Sequence, residues 1–91
     1  MAKITEATIG TINKSVGEAL MLLPGEDTTV LVTVVSGYTE LVSLNPSNRG
    51  YVDRLSASLF KLAEFLMERG RHNLARRLML LRDEVLSGGK Y

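Results

Sequence analysis

The chain has no cysteine, no tryptophan, one histidine and two prolines, and aromatic residues make up only 5% of its 91 positions. Without cysteine there is neither a disulfide nor a thiolate metal site. One histidine cannot complete a zinc site within a single chain. The lack of cysteine fits a reducing compartment. No apolar stretch approaches the roughly 20 residues that a membrane-spanning helix needs, and no apolar run follows a basic segment behind Met1, so we expect a soluble, cytoplasmic protein with no signal peptide and no membrane partner. A glycine-rich phosphate loop is missing, and no Ser, His, Asp arrangement is visible. Glu26-Asp27 and Asp83-Glu84 are neighbours that project in different directions, which leaves no paired-carboxylate site. The sequence predicts no enzyme, no catalytic residue, no cofactor and no metal.

Two further absences are local. No arginine precedes position 49, and no threonine follows position 39. The first 48 residues carry Lys3 and Lys14 against Glu6, Glu18, Glu26, Asp27 and Glu40, a net of −3. The other 43 carry seven arginines with Lys61 and Lys90 against Asp53, Glu64, Glu68, Asp83 and Glu84, a net of +4. The total of +1 argues against generic polyanion binding, because nucleic-acid domains carry a clear excess of base. Ninety-one residues make one domain spanning residues 1–91, with a core small enough that a partner subunit would help it.

What is present reads as four helices. Pro24-Gly25-Glu26-Asp27, Asn45-Pro46-Ser47-Asn48 and Gly70 divide the chain into segments of helix length. In the first, Ile9, Ile12, Val16, Ala19, Leu20 and Leu23 fall in an arc of about 100°, opposite Glu6, Lys14 and Glu18. Gly10 and Gly17 share a line beside that arc, suited either to plain looseness or to close approach of another helix backbone. In the third, Val52, Leu55, Leu59, Leu62, Ala63 and Leu66 define an arc of about 160° with Phe60 and Met67. Ser47 or Asn48 is placed to cap it, and Lys61 stands at pairing distance from Glu64. In the fourth, Leu74, Leu78, Leu81 and Val85 form a narrow stripe flanked by Ala75, Met79 and Leu86, and Gly88-Gly89 closes it.

The second segment is ambiguous. Val30, Leu31, Val32, Val34 and Val35 favour strand, and Ser36-Gly37 suits a hairpin turn. Helical period gathers Val30, Leu31, Val34, Val35, Tyr38, Leu41 and Val42 in one arc of about 140°, with Asp27 or Thr28 as cap. We take the helix. The expected fold is an all-α, antiparallel four-helix bundle of two hairpins, with helices at about 5–23, 28–44, 50–69 and 71–86. The alternative is α+β, with a β-hairpin at about 29–44.

Leu59, Leu62, Ala63 and Leu66 before a turn, Gly70 within it, and Ala75 and Met79 after it resemble a single tetratricopeptide-type helical hairpin. The likeness covers about 30 residues, and Arg82 departs from it where the family carries a small apolar residue. It implies an antiparallel hairpin. It implies no repeat-protein function, since such repeats need about three copies and no second one is visible.

Candidate contact residues concentrate in the second half. Arg69, Arg71, His72, Arg76, Arg77 and Arg82 form a basic cluster in which Lys is absent. The planar guanidinium fork suits carboxylate or phosphate. The plainer expectation is a solvated helix face paired to acids of the first half. Arg82 points into the arc that faces another helix, so it must be paired, at the rim or on a ligand. Acids suited to it are Glu18 and Glu40. Phe65 and Leu80 fall on the polar sides of their helices and, with Tyr38, suggest an apolar contact surface outside the chain. The expected function is a small non-catalytic protein–protein interaction module, an adaptor, inhibitor or assembly factor that works as a homo-oligomer. The alternative is binding of nucleic acid or a small nucleotide-like anion through the arginines.

Overall fold

A computed structural model describes residues 6–88. It holds four helices, α1 (Glu6–Leu22), α2 (Glu26–Leu44), α3 (Arg49–Glu68) and α4 (His72–Gly88), with no strand among the described residues. Helix accounts for 88% of them, so the β-hairpin at about 29–44 does not form. Contacts join α1 to α2, α2 to α3, α3 to α4 and α4 back to α1, with α3 and α4 most extensively paired. That closed order is an up-and-down bundle, 37 Å long and about 20 Å across.

Local signals set the helix ends. The Asn48 side chain accepts a hydrogen bond from the Tyr51 backbone N–H at 3.1 Å and caps α3,. Gly70, at φ 80°, ends the same helix. Its N–H donates to the Met67 carbonyl, and the Arg71 N–H donates to the Leu66 carbonyl, a Schellman closure that a residue with a Cβ enters only with strain. The start of α2 differs from expectation. Neither Asp27 nor Thr28 caps it; Gly25, at φ 154°, holds that position with no side-chain bond. Helix α2 begins two residues early and places Glu26 and Asp27 in its first turn, where the exposed N–H groups favour negative charge. Helix α4 continues through Ser87 and Gly88; Thr5 and Gly89 lie outside the described residues.

The core is a row of aliphatic side chains. Leu55, Leu59, Leu62 and Leu66 of α3 face Leu78 and Val85 of α4 and Ile12 of α1, all without exposure. Each such leucine contributes about 1.5–3 kcal/mol by leaving water. The α3 and α4 arcs are those the periodicity predicts, except that Met67, expected in the α3 arc, is exposed.

The α2 face is not. Its buried residues are Thr28, Val32, Val35, Thr39 and Val42, a face rotated by about 90° from the expected arc. Val30 and Val34 are exposed. Two properties permit the rotation. The apolar arc of α2 is wider than one helix face can bury, and the hydroxyl of buried Thr39 is satisfied inside the helix. Thr39 donates to the Val35 carbonyl at 2.7 Å, so its burial leaves no orphan.

Candidate functional site

The arginine cluster is dispersed by the fold. Arg77, on α4, donates to Glu18 of α1 at 2.8 Å. Glu84, on the same helix, accepts from Thr8 at 3.2 Å. Arg71 reaches the Leu22 carbonyl at 3.5 Å, a long contact that sets a cation at the negative end of α1. Arg82 meets neither Glu18 nor Glu40. Its guanidinium pairs with adjacent Asp83 at 2.9 Å and sits 5.5 Å over the Phe60 ring. This is the rim placement that keeps its charge wet while its stem covers apolar surface.

Arg69 lies 3.7 Å from the centre of the Phe65 ring and donates to the Phe65 carbonyl. Its ion pair to Glu68 is long, at 3.7 Å. His72 contacts the Met67 sulfur, one turn from Arg76. Arg76 alone of the six makes no ion pair or hydrogen bond to another described residue. The other five side chains therefore point to three places: the α1–α4 seam, the turn around Gly70, and the α3–α4 rim. They do not converge on one anion. Among the described residues no group of three or more His, Asp or Glu could hold a metal ion, and no helix is long and apolar enough to cross a membrane.

The apolar trio separates too. Phe65 is half-buried and packs against the core under Arg69, so it does not stand free among charges. The sequence misplaced it because the arginine four residues on covers it. Leu80 is 59% exposed and projects about 200° away from fully buried Leu78. It shares no surface with Phe65, whose direction on α3 is close to Ser58 and Lys61 on the α2 side. Tyr38 is half-buried and, with Val34, lines a groove between α2 and α3 whose other wall carries Arg54 and Lys61.

That groove borders the feature that the sequence reading missed. Having turned Val35 inward, α2 presents Val30, Val34 and Leu44 to solvent, 57%, 43% and 71% exposed, with Leu41 half-buried between them. Gly37 stands exposed in the middle. The signal was available in the β-branched run, which supplies more apolar residues than one helix face can bury. Towards one end of the bundle Leu20, Met21 and Leu22 of α1 are also exposed, at 36%, 82% and 44%, as is Met67 of α3 at 44%, which lines a shallow groove with Ala63 and Met79.

No protein-family model, no curated protein and no solved structure matches this chain. Of what the tetratricopeptide likeness implies, the structure contains the antiparallel pairing of α3 and α4 across Gly70.

Proposed function

We propose that this chain is a small non-catalytic protein–protein interaction module, an adaptor, inhibitor or assembly factor that works as a homo-oligomer in the cytoplasm. The observation that carries this reading is the second apolar face of α2. A helix in a monomeric bundle needs one apolar stripe. Helix α2 has two, and the outer one is lined by Val30, Val34, Leu41 and Leu44. Contiguous exposed apolar surface on a small protein marks a contact site. Of the residues singled out in the sequence, Tyr38 belongs to this face, while Phe65 and Leu80 do not.

Binding of nucleic acid or a nucleotide-like anion by the arginines is the weaker reading. Arg77 and Arg82 are already engaged with acids, and the five groups that have contacts are spread over three places. An absence of cysteine supports a reducing compartment.

The test is affinity capture from native lysate with the wild-type chain and with a Val34→Lys, Leu44→Lys double variant, bound proteins and small molecules both being identified. Specific proteins retained by the wild type and lost from the variant support the reading. Retention by both, or capture of nucleotide or nucleic acid that falls steeply with added salt, contradicts it.

A further inference from the structure

We infer that the occupant of the outer face of α2 is a second copy of this chain, with α2 laid parallel to its counterpart along a two-fold axis. The inference rests on the reading of that face as a contact surface and names what covers it. Three observations carry it: the spacing of the face, the glycine at its centre and the charges on its two flanks.

Val30, Val34, Gly37, Leu41 and Leu44 follow one another at intervals of four, three, four and three. That is the seam of a two-stranded coiled coil, in which the same positions of two helices meet knob into hole. The buried residues of α2, Thr28, Val32, Val35, Thr39 and Val42, have the same spacing and face the bundle. Helix α2 thus carries two seams on nearly opposite sides, one filled by α1 and α3, the other bare.

No contact within the chain calls for a glycine at position 37. Its φ is not positive, and a Cβ at this position would meet nothing within 4 Å. Glycine within a helix is unfavourable relative to alanine, so an internal reason for it is lacking. Its value is external. At the middle of a seam it lets the backbone of a neighbouring helix come close, and a parallel copy places Gly37 against Gly37 of the partner.

The flanks then select the direction. On the α3 side of the seam Arg54 and Lys61 stand beside Val34 and Tyr38. On the α1 side Glu40 stands at the mouth of a groove with Ser36 and Ser43. All three charged groups are exposed, and none is ion-paired to another described residue. A two-fold axis along the helices sets the α3 flank of each copy on the α1 flank of the other. Arg54 then meets the second copy's acidic flank at Glu40, twice over, as an isologous interface requires. An antiparallel pairing sets Arg54 and Lys61 against copies of themselves, which like-charge repulsion disfavours.

The absence of native cysteine makes the register directly readable. Val30→Cys and Leu44→Cys occupy exposed positions near opposite ends of the seam. In the parallel arrangement each variant, oxidised alone, yields a disulfide-linked dimer. In an antiparallel arrangement only an equal mixture of the two yields it, and that result overturns the register. Sedimentation of the uncrosslinked wild type should give twice the chain mass, and Val34→Lys with Leu44→Lys should give the single mass at unchanged helix content. Arg54→Glu and Glu40→Arg should each weaken pairing about tenfold, and the two together should restore it. A wild type that stays monomeric throughout the micromolar range overturns self-pairing. Capture of another protein, lost in the Val34→Lys, Leu44→Lys variant, would then preserve the contact surface while refuting the second copy. If capture is also unaffected, the surface itself is refuted.

Discussion

Arg77 Nη1 lies 2.8 Å from Glu18 Oε1, and the contact joins α4 to α1, the pair of helices that closes the bundle. Both side chains remain substantially exposed, at 45% and 34%, so water screens the pair. Its separation of 59 positions hides it from any local reading of the helix. A double-mutant cycle of Arg77→Ala with Glu18→Ala should give a coupling of about 0.2–1 kcal/mol that shrinks with added salt. A coupling of several kcal/mol in urea denaturation would contradict the wet placement of this pair.

Ser15 is fully buried, and its hydroxyl has no hydrogen-bond partner in the structure. Ser56 and Ser58, also buried, donate to backbone carbonyls of their own helix. Alanine at position 15 removes an unsatisfied polar atom and improves helix propensity. Ser15→Ala should therefore stabilise the fold by about 1 kcal/mol, whereas Ser58→Ala should bring little gain. Chemical denaturation at fixed protein concentration measures both.

Depth of burial ranks the apolar substitutions. Leu62→Ala, at a site with no exposure, should cost about 2–5 kcal/mol. Phe65→Ala should cost about 1–2 kcal/mol, because the ring is half removed from water and holds Arg69 over it. Leu80→Ala should change stability by less than about 0.5 kcal/mol. A Phe65→Ala variant as stable as Leu80→Ala would return Phe65 to the free surface where its sequence position puts it.

The glycines divide by backbone conformation. Gly25 and Gly70 have φ of 154° and 80°, where a Cβ is strained whatever space surrounds it, so alanine at either should cost about 1–2 kcal/mol. Gly37→Ala, measured by denaturation at dilution low enough to exclude association, should stabilise the chain by up to about 1 kcal/mol. Loss of stability there would mean that Gly37 serves the monomer.

These contrasts show what the linear order reveals. Helices α3 and α4 are legible because leucines recur at one period with charges opposite, and because Asn48 and Gly70 mark real ends. The orientation of α2 is not legible. Residues 30–35 offer valine or leucine at five of six positions, and only the space between α1 and α3 decides which of them turn inward. The arginines mislead for a related reason. Between positions 69 and 82 they look like one patch, yet Arg71 and Arg77 find partners on α1, 49 and 59 positions away. Such pairings depend on the closure of the bundle, which no local spacing reports. The same closure exposes the outer seam of α2, so the feature that best suggests a function appears only when the helices are assembled.

The claim that this seam is the working surface is tested most directly by methyl NMR of the wild-type chain across a dilution series. A self-pairing seam should show concentration-dependent shifts or broadening at the methyls of Val30, Val34, Leu41 and Leu44, with Leu80 and the inward-facing Val32, Val35 and Val42 unmoved or nearly so. Spectra that do not change with concentration, or changes centred on Leu80, would contradict it.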